Sequence, residues 1–152
     1  MADTGEPLTA IRDAALKALA RREHSVAELR RKLERKGCEP SLVEQVLGRL
    51  QDEGLLSDRR FVEAYVHSRY GKGFGPLRIE AELRERGVDA WLASEGVESG
   101  HRRWSELMEQ VRRKRFGTPL PEDYREWIRQ ARFLQQRGFS AESIRRLLKQ
   151  DL

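Results

Sequence analysis

Cysteine is almost missing: Cys38 is the only one in 152 residues, which excludes an intrachain disulfide and any cysteine-cluster metal site. Its simplest role is that of a small apolar residue after a helix cap. No apolar run approaches the length of a membrane span. The opening Met1-Ala-Asp-Thr-Gly-Glu-Pro7 has neither the basic nor the apolar region of a signal peptide, so a cytoplasmic protein with no membrane contact is expected. Catalytic patterns are absent too. His24, His67 and His101 stand far apart in no metal-ligand spacing, and no Gly-x-Ser-x-Gly elbow or phosphate-binding loop occurs. The expectation is a protein that is not an enzyme and needs no metal or cofactor. Gly71-Lys-Gly-Phe-Gly75 has the look of a glycine-rich phosphate loop, but it follows a helical stretch and lacks the Lys-Ser/Thr ending. It reads as a flexible turn. No segment reads convincingly as a strand.

What is present is a repeat. Glycine recurs at Gly37, Gly87 and Gly138, 50 and 51 residues apart, with leucine four residues earlier (Leu33, Leu83, Leu134) and a cation one residue earlier (Lys36, Arg86, Arg137). A spacing that long and regular marks a supersecondary unit rather than a heptad. In each copy an apolar residue follows the glycine (Cys38, Val88, Phe139), the signature of a helix closed by a Schellman cap. Each glycine therefore joins two helices. Ser25-Val-Ala-Glu28 and Ser41-Leu-Val-Glu44 read as capping boxes, and Ser57-Asp58 and Ser140 as further helix starts.

Apolar periodicity completes each unit. Ile11, Ala15, Leu16 and Leu19 form a stripe ahead of the first pair, and Phe61, Val62, Tyr65, Val66 and Tyr70 open the second copy. Pro76 suits the first turn of the helix that carries Ile79 and Leu83, and Trp91 and Leu92 give the next helix a thin stripe. In the third copy Trp104, Leu107, Met108 and Val111 form one stripe, Pro119 and Pro121 interrupt, and Tyr124, Trp127, Ile128, Ala131 and Leu134 form the next. The sequence thus predicts an all-α fold of nine helices: three tandem three-helix repeats, each helix-turn-helix-like, in an elongated, curved array. The expected divisions are a flexible N-terminus over 1–8, then units over 9–54, 55–99 and 100–152.

Charge is unevenly placed. Residues 1–100 hold 17 Lys/Arg against 18 Asp/Glu, while residues 101–152 hold 13 against 7, so the last third carries more than the whole net charge of +5. Arg125, Arg129 and Arg132 fall at i, i+4 and i+7, and the preceding helix ends in Arg112-Arg-Lys-Arg115. For any single arginine a solvated helix face is the simpler reading. The cluster as a whole suits a phosphate backbone or an acidic groove. Arg112, Arg113, Lys114, Arg125, Arg129 and Arg132 are the first candidates for contact with a partner, and Arg30, Arg31 and Lys32 the second. Tyr65, Tyr70 and Phe74 have the chemistry to stack on bases, although aromatics at helical spacing usually belong to a core.

Three stretches, Ala18 through Gly37 (ALARREHSVAELRRKLERKG), Gly54 through Arg69 (GLLSDRRFVEAYVHSR) and Gly73 through Gly87 (GFGPLRIEAELRERG), together with Arg132-Phe-Leu-Gln-Gln-Arg-Gly-Phe139, closely resemble the RecX family. The similarity runs from about Ala10 to the C-terminus through several segments in order. The resemblance implies a regulator of the RecA recombinase that lies in the helical groove of a RecA filament on single-stranded DNA. It implies inhibition of ATP turnover, strand exchange and repressor self-cleavage without chemistry of its own. The implied partner is the RecA filament, with direct contact to single-stranded DNA left open, and the protein is expected as a monomer or weak dimer. The family offers no catalytic motif to carry over, so the contact residues rest on charge placement.

Two other readings compete. The helix-turn-helix pattern over Ser25 to Leu56 also suits a DNA-binding regulator, whose recognition helix needs cations. The helix after Gly37 is more acidic than basic and would repel phosphate. A plain helical scaffold for some other protein is the third.

Overall fold

The computed structural model describes residues 5–99 and 102–149. The expected segment 1–8 lies outside that range in its first four residues, as does His101. Nine α-helices and no strand occur among the described residues: α1 Gly5–Arg21, α2 Val26–Arg35, α3 Pro40–Asp52, α4 Asp58–Gly71, α5 Pro76–Glu85, α6 Ala90–Glu98, α7 Trp104–Phe116, α8 Tyr124–Arg137 and α9 Ala141–Leu148. Residues 5–8, expected to be flexible, form the first turn of α1.

Each glycine turn has the geometry its sequence predicts. Gly37, Gly87 and Gly138 have φ of 89°, 84° and 106°, the left-handed region that a side chain disfavours. The residue after each glycine donates back to the leucine carbonyl: Cys38 to Leu33 at 3.2 Å, Val88 to Leu83 at 3.1 Å and Phe139 to Leu134 at 3.2 Å. Two further helices end the same way, α3 through Gly54 and α4 through Gly73, where Leu55 donates to Leu50 and Phe74 to Arg69.

Caps explain most helix starts. Ser25 and Glu28 form the reciprocal capping box, and Ser57 and Ser140 accept from the backbone N–H groups of Arg60 and Ser143. The expected box at Ser41 does not form. Pro40 takes the first position of α3, Glu39 caps it by accepting from the Ser41 N–H, and Glu44 reaches across to Arg30 instead.

Three cores follow the three units. Leu29, Leu33, Val43, Leu47 and Leu50 anchor the first, Phe61, Val66, Ile79, Leu83 and Ala93 the second, and Leu107, Met108, Leu134, Ile144 and Leu148 the third. Trp104 packs against both the second and the third core, and its indole N–H donates to the Val97 carbonyl at 3.1 Å. The chain exposes 9981 Å², about a quarter more than the roughly 7,900 Å² of a compact monomer of this mass. An array of small cores produces that excess.

Two features of the stripes differ from the sequence expectation. On α6 the buried residues are Ala93 and Val97, while Trp91 is 67% exposed. The helix is thinly striped because it packs through small residues: a Cβ at Gly96 would stand 2.2 Å from Val62 Cγ1. On α8 Tyr124 is 63% exposed, so the apolar face begins at Trp127.

Candidate functional site

The units meet through turns, and both joints use the same parts. The start of the second helix of one unit docks on the glycine turn of the next. At the first joint Ser25 Oγ donates to the Arg86 carbonyl at 2.6 Å, Asp58 accepts from the Val26 N–H at 2.8 Å, and Ala27 covers Gly87 so closely that an added Cβ would meet it at 2.3 Å. At the second, the Gly75 N–H donates to the Arg137 carbonyl at 2.7 Å and the Leu77 N–H to the Gly138 carbonyl at 3.0 Å. Gly71 to Gly75 is therefore a docked joint and not a flexible turn. Three guanidinium groups, of Arg69, Arg78 and Arg137, lie 3.8, 4.4 and 4.8 Å from the Phe74 ring centre. Glu82 balances part of that charge with a 2.8 Å pair to Arg69. Burial works to raise the Glu82 carboxyl, yet hydrogen bonds from Arg69 and Tyr65 outweigh it and hold the group below its usual range.

These joints floor a concave surface that crosses all three units. Its first section, about 510 Å³, is lined by Arg22, Arg31, Lys32, Arg35, Lys36 and Arg86 around His24 and Glu28. The middle section shares Arg22, Glu28 and Arg86 with it and adds Glu23, Tyr65, Arg69 and Lys72. The last shares Lys72 and adds Lys114, Arg115, Phe133 and Arg137. The first and middle sections share three residues and the middle and last share Lys72, so the three adjoin and are together called the trough. Eleven Lys/Arg and two carboxylates line it, where the whole chain has 30 against 25. Among the described residues Lys32, Lys36, Lys72, Lys114 and Arg115 form no ion pair. Their charge is available to a partner.

Sequence reasoning found only part of this surface. Arg31, Lys32 and Lys114 line it. Arg30 is tied to Glu44, and Arg113 pairs with Glu109 at 2.7 Å. Arg125, Arg129 and Arg132 do share one face, with Tyr124 and Ile128 between them, but that face lies apart from the trough, and Arg129 pairs with Glu126 at 2.9 Å. Arg112 is corrected outright. It is 2% exposed, and its guanidinium donates to the carbonyls of Gly117 at 3.3 Å, Thr118 at 2.9 Å and Pro119 at 3.1 Å, with Gln130 Oε1 at 3.5 Å. It fastens the α7–α8 loop and has no free donor fork to offer a partner. The trough cations Arg22 and Lys72 have ordinary sequence neighbourhoods, and Lys36 and Arg115 stand in features that do not mark them as contact residues; the fold brings them together.

His24, in the first section, is 1% exposed. Its Nδ1 lies 3.1 Å from the Arg22 carbonyl, while Nε2 has no partner among the described residues. Burial pushes its pKa below the ordinary value, against the opposing hydrogen bond to Arg22. The unfolded chain then binds more protons than the folded one between the folded pKa and about 6.5. Stability is therefore full above that range and falls as pH drops through it. Urea midpoints measured at pH 7.5 and 5.5 should fall less for His24→Phe than for the wild type, whereas equal losses would assign the acid sensitivity to other groups.

Among the described residues no group of His, Cys, Asp and Glu is placed to hold a metal ion, and no helix is long and apolar enough to cross a membrane. Fold and trough together describe a helical-repeat protein with an open charged surface. Models of the first, second and third three-helix domains of RecX match residues 12–50, 57–97 and 105–148. The chain belongs to the RecX family. It is 48% identical over 145 residues to "Regulatory protein RecX" of Halorhodospira halophila, covering 95% of this chain and 90% of that protein. It is 44% identical to the protein of the same description from Pseudomonas fluorescens, covering 94% and 92%. The crystal structure of RecX from Lactobacillus salivarius superposes with a TM-score of 0.79 at 20% identity, over 95% of this chain and 96% of that one. That likeness confirms the fold.

Proposed function

We propose that this regulatory protein acts on a RecA recombinase by lying along its filament on single-stranded DNA, in the cytoplasm, as a monomer or weak dimer. It inhibits ATP turnover, strand exchange and stimulated repressor cleavage by bridging protomers, with no reaction of its own. The observation that supports this reading best is the cationic trough, whose adjoining sections draw on all three units. A periodic polyanionic partner engages all three at once, so weak single contacts combine into tight binding. The helix-turn-helix alternative gains nothing from the structure, because the exposed face of α3 presents Glu44, Gln45, Gln51 and Asp52 with Arg49.

Co-sedimentation with RecA filaments, with bare single-stranded DNA as control, tests the partner, and the filament ATPase tests the consequence. Inhibition is expected well below one molecule per recombinase. An unchanged ATPase at saturating protein, with filaments intact, would remove the reading in favour of a scaffold. Two triple reversals locate the contact: Lys72, Lys114 and Arg115 to Glu in the trough, and Arg125, Arg129 and Arg132 to Glu on α8. Both change the charge equally, so diffuse attraction responds alike to both, while close pairing does not. The trough triple is expected to weaken binding at least about 10-fold more at moderate salt. Equal losses in variants with unchanged melts would show that the trough is not the contact.

A further inference from the structure

From Gly87 to His101 the chain carries no Lys or Arg, although the whole sequence has 30. The same stretch holds Asp89, Glu95 and Glu98. α6 occupies its centre, and no α6 residue lines the trough. Trp91 stands on this helix at 67% exposure, the highest of the exposed large apolar residues. Together with Ser94, Glu95, Glu98 and Ser99 it lines a shallow concavity of about 430 Å³. Glu95 Oε1 lies 3.7 Å from Arg59, while Glu95 Oε2 has no hydrogen-bond partner among the described residues. Among the described residues Glu98 accepts from the Ser94 hydroxyl, one turn earlier, at 3.3 Å.

An exposed indole beside the Glu98 carboxylate and the outer oxygen of Glu95, whose Oε2 is itself buried, has a definite complement. A guanidinium or ammonium group stacks on the ring face and donates to the flanking oxygens. Nucleic acid is disfavoured, because its phosphates would meet Glu95 and Glu98, and the neighbouring Arg59 is already engaged by Glu95. Tryptophan is also among the side chains that dominate protein interfaces when covered. We infer that α6 is a second docking surface, for a Lys- or Arg-bearing surface of a protein partner, separate from the trough that takes the polyanion. This rests on the filament reading for the partner's identity: a nucleoprotein filament offers phosphate and protein side chains together, and the two faces divide them.

Trp91→Ala and Glu98→Lys are compared with wild type for binding to RecA filaments on single-stranded DNA and to the bare strand. Trp91 is 67% exposed and Glu98 lies on the surface, so melting should be unchanged in both variants. Trp91→Ala is expected to weaken filament binding about 30-fold, the range of an interface hot spot, and Glu98→Lys by several-fold, while binding to the bare strand stays within about twofold. Trp91→Phe, which keeps a ring, should recover part of the loss. Filament binding by Trp91→Ala within twofold of wild type, or equal losses on both ligands, overturns the inference. So does self-association of the free protein that Trp91→Ala abolishes, since a second copy would then be the occupant. Failure of the wild type itself to bind filaments removes the filament reading and this inference with it.

Discussion

Arg112→Ala is expected to lower stability by about 3–5 kcal/mol, the range for truncating a large buried side chain. Three loop carbonyls converge on this one guanidinium. Arg112→Lys should recover little, because an ammonium cannot present a planar fork to three carbonyls at once. Arg113→Ala, one residue along on the solvent side and paired only with Glu109, should cost under about 0.5 kcal/mol. For a chain of this length the Arg112 loss corresponds to a fall of about 10 °C in melting temperature. Because each unit has its own core, the loss should also split the transition, with the third unit melting first. Scanning calorimetry reads both effects. A cost below about 1 kcal/mol would mean the loop is held by something other than Arg112.

Gly138→Ala and Gly37→Ala are the same substitution in the same cap, yet their expected costs differ several-fold. At Gly37 nothing lies within 4 Å of the added methyl group, and only the left-handed φ of 89° counts, about 1 kcal/mol. At Gly138 the methyl would stand 2.4 Å from Arg78 Cβ and 2.7 Å from the Arg78 backbone nitrogen. Relief requires the second and third units to part, breaking the two backbone hydrogen bonds of the joint. We expect about 3 kcal/mol or more, with overpacking added to strain. Urea titration of both variants measures the difference, and equal costs would show that the joint yields freely.

The contrast shows where sequence reading stops. The three caps were legible because a Schellman turn is local: six residues fix it, and leucine, cation, glycine and apolar residue all fall within that span. The capping box at Ser41 failed because Pro40 and Glu39 satisfied the same helix start one residue earlier, which freed Glu44 for Arg30. Arg112 failed for a different reason. Its neighbours Arg113, Lys114 and Arg115 are charged surface residues, and nothing local marks the one that turns inward to a loop five to seven residues on. The trough was only partly visible, since its walls come from α2, α4, α7, the end of α8 and the turns between helices. The charge excess of the last third pointed to α8, where the cations share a face but lie on open surface.

The two joints differ in what their chemistry permits over generations of substitution. The second is closed by backbone groups, the Gly75 and Leu77 N–H donors on the Arg137 and Gly138 carbonyls. Arg78 and Arg137 add side-chain bonds across it, to the Gln136 carbonyl at 3.0 Å and the Lys72 carbonyl at 3.2 Å, but the backbone pair survives substitution around it, provided the glycines stay. The first is closed by the Ser25 hydroxyl and the Asp58 carboxylate, with Glu23 paired to Arg60 at 3.0 Å. A single-codon change at any of these residues resets its geometry. Curvature across the second and third units is thus inherited with the main chain, and divergence in reach between related proteins should enter at the hinge of side chains between the first and second.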